Sequence, residues 1–118
     1  MSLKEFDGGL KEGTQEVAVG IDQSLTGFAL SVVSVEFPNL HKTLVYKSEF
    51  RGVQRLADIH WWLKGQLFVI KLEHTIKDVA MEGTVLASHS ALALGELSAI
   101  VKLALWEEHI LPLQIPPM

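Results

Sequence analysis

EVAVGIDQSLTGFALSVVSVEF, residues 16–37, decides the fold. Branched residues at Val17, Val19 and Ile21 alternate with small ones up to an acid, Asp22. A polar turn, Gln23 to Gly27, then leads into a second apolar run from Phe28 to Phe37, so the stretch predicts a β-hairpin. Pro38 and Asn39 break the chain, and KTLVYKSEF, residues 42–50, alternates again. That alternation predicts a third antiparallel strand with Leu44 and Tyr46 on one face and Val45 and Lys47 on the other.

Past Gly52 the period changes. Val53, Leu56, Ile59, Leu63, Leu67 and Ile70 are three or four residues apart, the spacing of one buried helix face. Gly65 lies inside that helix and costs roughly 1 kcal/mol against alanine, so packing is expected to hold its turn. TIKDVAME, residues 75–82, predicts a fourth strand with Ile76, Val79 and Met81 buried and Glu82 at its end. A second helix is expected from about Ser88 to His109, apolar nearly all round and therefore largely buried, with small residues at Ala91, Gly95 and Ala99. ILPLQI gives a fifth strand, stopped by Pro116 and Pro117. The order β-β-β-α-β-α-β predicts an α/β fold. Right-handed crossovers lay strands four and five parallel to the first, in a mixed five-stranded sheet of spatial order 3-2-1-4-5.

Composition narrows the class of function. The chain has 118 residues, 48% apolar and 20% charged, which fits one globular domain without a membrane-spanning run. Residues 1–15, with Gly8, Gly9 and Gly13, read as a flexible leader before a domain over 16–118. There is no cysteine, which removes thiolate zinc sites and cysteine nucleophiles, and no apolar signal peptide; a cytoplasmic location is expected. A net charge of −4 counts against a protein held to nucleic acid by phosphate contacts all over its surface. The five histidines never fall three or four residues apart, as a helical zinc motif requires.

The chemistry concentrates at one edge of the expected sheet. Strands one and four are parallel neighbours, so Asp22 and Glu82 end at the same crevice, where α/β folds place ligands. Two carboxylates there repel unless a cation lies between them, and all-oxygen ligands suit Mg2+ or Mn2+. Both acids also read as solvated strand ends. Asp78, about 13 Å back along the same strand at ~3.3 Å per residue, is expected to lie outside such a site.

The segment VAVGIDQSLTGFALSVV resembles the opening of the RuvC-type Holliday junction resolvases of the RNase H-like superfamily. DVAMEGTVLASHSALALGELSAIVKLAL is similar to that family's fourth strand and following helix, nearest to its phage-type members, and with ILPLQIPPM the likeness covers almost everything after the leader. The resemblance implies that Asp22 and Glu82 are the first two catalytic, metal-binding acids. It further implies a magnesium-dependent endonuclease that nicks branched DNA in recombination or repair, working as a homodimer. Ser24 and Thr26 beside Asp22, and Thr84, Ser88 and His89 after Glu82, become candidates for contact with substrate. Turn hydrogen bonds for the first pair and a helix cap for Ser88 are the simpler alternatives. The family continues into a further helix that carries more acids, and this sequence stops at Met118, so the expectation is weak metal binding and little or no cleavage by these residues alone. Two other readings remain open: an actin-like nucleotide-binding lobe, and a noncatalytic module in which the Ala91, Gly95, Ala99 row packs a partner helix.

Overall fold

In the computed structural model, which describes residues 15–82 and 91–115, the opening stretch is a hairpin. It consists of β1 (Glu16–Asp22) and β2 (Phe28–Ser34), followed by β3 (His41–Tyr46), α1 (Gly52–Glu73), β4 (Thr75–Glu82), α2 (Ala91–Glu107) and β5 (Leu113–Ile115). The five strands form one sheet in the order β3-β2-β1-β4-β5, with β1 antiparallel to β2, β2 to β3, and β4 parallel to both β1 and β5. Element order and sheet order match the expectation. β2 stops at Ser34 rather than at Phe37 because Ser34 Oγ accepts the Phe37 N–H at 3.1 Å, and the Ser34 N–H donates to Leu40 O at 3.0 Å, closing a turn.

One sheet face is built from Val17, Val19 and Ile21, Phe28, Leu30 and Val32, Leu44, and Val79 and Met81. Ile59, Leu63, Leu67 and Ile70 of α1 and Leu97, Val101 and Leu105 of α2 join it in one buried cluster. Each such side chain contributes roughly 1.5–3 kcal/mol when fully buried. Trp62 is buried, edge-on to Phe28 and stacked on Tyr46 at 5.0 Å, while its neighbour Trp61 faces solvent, as adjacent helical positions must divide.

The β1–β4 ladder contains a step that sequence spacing does not announce directly. Val17 pairs with Ile76, but Ala18 pairs with Asp78, so Lys77 is skipped. From there Val19 pairs with Val79 and Ile21 with Met81. Without the step, Asp78 and Ala80 would stand opposite Val19 and Ile21 on the core face, and Val79 and Met81 would face away.

Two expectations about the helices are corrected. Val53, in the first turn of α1, is exposed rather than part of the buried stripe, which begins with the half-buried Leu56 and the buried Ile59. Gly65 itself is exposed, and a Cβ built there meets nothing within 4 Å, while the buried Trp62, Leu63, Gln66 and Leu67 on either side of it pack its turn, as expected. α2 is not buried all round: Leu92, Leu103 and Trp106 are exposed, since only one side of it meets α1 and the sheet. Among the described residues no helix is long and apolar enough to cross a membrane.

Candidate metal centre at one edge of the sheet

β1 ends at Asp22 because the alternation of Val17, Val19 and Ile21 runs into a polar turn that its own residues close. Ser24 Oγ accepts the Thr26 and Gly27 N–H groups, both at 3.3 Å, and lies 3.3 Å from Thr26 Oγ1. Both hydroxyls are therefore engaged in turn hydrogen bonds, the simpler of their two expected roles. The side chain of Asp22 is exposed, with no ion pair or hydrogen bond among the described residues.

The last matched pair of the parallel ladder is Ile21 with Met81; one residue further on come Asp22 and Glu82, the final residues of β1 and β4. Neighbouring strands run about 4.8 Å apart, so the backbone brings positions 22 and 82 side by side. The step at Lys77 is what achieves this. In the register that Val17 and Ile76 set, position 82 would lie opposite Gln23. Asp78 pairs with Ala18, far down the strand, as expected of a residue outside the site. Thr84, Ser88 and His89 lie outside the described residues.

The donor chemistry at this edge fits a hard divalent cation. Asp22 and Glu82 offer carboxylate oxygens only, and Mg2+ is commonly held by one or two carboxylates that leave positions for water and phosphate oxygens. No group of three or more His, Cys, Asp or Glu that could hold a metal occurs among the described residues.

Around this edge lies a set of cations that sequence reading missed. β3 runs parallel to β1, since both are antiparallel to β2, so Lys47, just past Tyr46, and Arg51 at the start of α1 reach the same edge as Asp22. Arg55 follows one turn later, its Nε donating to Phe50 O at 3.1 Å. Glu49 is the acid among them. The placement is rigid: Tyr46 Oη and Ser48 Oγ both donate to Asp58 Oδ2, at 2.8 and 2.7 Å, tying the end of β3 to α1. That hydrogen bond to Asp58, followed by burial, pushes the Tyr46 phenol above its usual pKa. A cleft of about 210 Å3 lies between the first turns of α1 and α2 and the β1–β2 turn, lined by Leu25, Leu56 and Ala93 with Arg55 and Glu96. The sequence signal for the cations was weak because Lys47, Arg51 and Arg55 are spread over a loop and a helix start within a chain of net charge −4.

No protein-family model matches the chain, and no curated protein does. Solved structures do. T. thermophilus RuvC in complex with a Holliday junction substrate superposes with a TM-score of 0.72 at 22% identity, over 87% of this chain and 66% of that one. A second Thermus thermophilus RuvC structure gives 0.67 at 24% identity, over 86% and 64%. The fold is that of RuvC. The chain spans about two thirds of the length of those RuvC chains. The RuvC fold is the RNase H-like arrangement expected from the hairpin and the two crossovers, and the order β3-β2-β1-β4-β5 is its frame here.

Proposed function

We propose that this chain is the core of a metal-dependent endonuclease of the Holliday junction resolvase type, nicking branched DNA during recombination or repair in the cytoplasm. The observation that carries the reading is the register at the end of the β1–β4 ladder, which brings Asp22 and Glu82 together on a RuvC fold. The RuvC structure solved with a Holliday junction substrate supports branched DNA as the substrate class.

Asp22 and Glu82 would hold Mg2+ or Mn2+, and the bound cation would supply an activated water and charge stabilisation at the scissile phosphate. Lys47, Arg51 and Arg55, all on the β3 side of the acids, would take phosphates on that side and orient the strand. Ser24 keeps the β1–β2 turn closed so that Asp22 stays at the strand end, and Thr26, exposed on that turn, would contact a phosphate. Thr84, Ser88 and His89 follow Glu82 in sequence and are assigned to the same substrate rim. With only two carboxylates assigned, affinity for Mg2+ without DNA should be weak, and substrate phosphates would supply further oxygen ligands. A pair of subunits related by a two-fold axis would address two strands of one junction.

The reading is tested with labelled four-way junctions, forks and linear duplexes of the same sequence in Mg2+ and in Mn2+. Nicking of the junction above the linear duplex, lost in Asp22→Asn and in Glu82→Gln, is expected. Weak turnover by these residues alone still ranks the substrates. Equal binding and equal cleavage of all three DNAs, or unchanged cleavage in both variants, contradicts it.

A further inference from the structure

Beside the acid edge, the cleft between the β1–β2 turn and the starts of α1 and α2 holds about 210 Å3. Leu25, Val53, Leu56 and Ala93 give it apolar walls, and Arg55 and Glu96 bring opposite charges to the same lining. Those charges do not meet. Among the described residues Glu96 forms no ion pair or hydrogen bond, and Arg55 donates only from Nε, to Phe50 O at 3.1 Å. The guanidinium thus keeps four of its five N–H donors, and the carboxylate keeps all its acceptor capacity, around one small apolar hollow.

Charge and size select the occupant. Glu96 repels a phosphate, and the volume lies below the roughly 300 Å3 at which pockets for drug-sized ligands begin, so a duplex has no room. A flat group with acceptors on one edge and donors on another fits, and a nucleobase taken out of its stack is such a group. Guanine uses both charges in full: its O6 and N7 accept two bonds from an arginine, while its N1–H and 2-amino group donate two to a carboxylate. Adenine sets its amino donor beside N7, cytosine has one amino group, and thymine has one N–H, so none of these matches both ends twice. Leu25 follows Asp22 by at most about 10 Å of chain, so a base held here belongs to a nucleotide beside the one whose phosphate meets the acids.

We propose that this cleft takes an unpaired guanine next to the cleavage position, with Arg55 donating to O6 and N7 and Glu96 accepting from N1–H and the 2-amino group. The proposal rests on the nuclease reading and deepens it. A base at a branch point has lost a stacking neighbour and leaves the stack at less cost than one inside a duplex, so the same cleft favours branched DNA and reads its sequence. Two Arg55 donors remain for the phosphate contact given above. Glu96 is then a specificity-determining residue.

Fluorescence anisotropy of labelled four-way junctions in EDTA, where cleavage plays no part, tests it. The junctions carry guanine, inosine or adenine at each branch-point position in turn. At one position the wild type should bind the guanine junction roughly tenfold more tightly than the adenine junction, with inosine, which lacks the 2-amino group, in between. Glu96→Ala, and Ala93→Phe, which fills the cleft, should bring all three to equal affinity. Glu36→Gln, exposed at the β2–β3 turn on the far side of the sheet, controls for the loss of one negative charge and should keep the preference. Circular dichroism checks that each variant is folded; Glu96 is exposed, so Glu96→Ala carries the test if Ala93→Phe disturbs packing. Equal affinity for the three bases at every position, or a guanine preference that survives Glu96→Ala, overturns the proposal. Nicking in Mg2+ reads the acids separately. Nicking without any guanine preference overturns the cleft alone, a guanine preference with nicking unchanged in Asp22→Asn and Glu82→Gln overturns the nuclease reading alone, and absence of junction binding overturns both.

Discussion

At the scale of single residues, the clearest electrostatic device lies away from the metal edge. His60 Nε2 is 2.7 Å from Glu107 Oε1, with Lys64 Nζ 3.5 Å from the same oxygen, and the hydrogen bond from His60 holds the Glu107 carboxyl below its ordinary value of 4.5. A carboxylate with a depressed folded pKa contributes stability above its unfolded pKa and loses it as pH falls through the folded value. Glu107→Gln should therefore lower the urea midpoint near neutral pH, and the difference from wild type should shrink toward zero as pH drops well below 4.5. Urea titrations at about pH 6 and about pH 3 check this; a difference independent of pH would show that the carboxylate charge plays no part. Glu107 and Glu108 follow a long apolar run, and nothing near them in the sequence marks them as paired. Their partners, His60, Lys64 and Lys71, sit 37 or more positions away on another helix, so no local pattern could reveal them. Asp22 and Glu82 were legible for the opposite reason. Each ends a strand whose apolar alternation is strong, and chain topology makes the two strands neighbours.

At the scale of elements, α2 ends with a residue poorly suited to its conformation. His109 has φ 63, and the Ile110 N–H donates to Leu105 O at 2.8 Å, the bond pattern of a helix terminated by a left-handed residue. Glycine adopts that region without the Cβ penalty, so His109→Gly should stabilise the fold by about 1 kcal/mol, read as a shift of the urea midpoint at unchanged slope. A destabilised variant would mean that the His109 side chain contributes more than its backbone costs. The β4 step belongs to this scale too. Ile76, Val79 and Met81 were all recognised as core residues, yet 76 differs in parity from 79 and 81, which no regular strand allows. That break in parity was the available signal for a skipped residue, and Lys77 is the residue skipped. The burial of α2 was overestimated because apolar content alone does not say whether a helix surface meets its own sheet or faces outward.

At the scale of the whole molecule, the sheet order was legible because handedness and short connections leave few ways to arrange three antiparallel strands followed by two crossovers. The cation-rich rim was not, because it is assembled from the end of β3 and the start of α1 by topology rather than by proximity in sequence. One edge of the sheet consequently collects two acids from adjoining parallel strands, three cations from the next connection, and the first turn of α1. The account stands or falls on whether those acids hold a cation together. Isothermal titration with Mn2+ at near-neutral pH, on wild type and on Asp22→Asn, Glu82→Gln and Asp78→Asn, measures that directly. The prediction is weak binding in the wild type and in Asp78→Asn, and none in Asp22→Asn or Glu82→Gln. Manganese binding that survives both of those substitutions, or that depends on Asp78, would contradict it.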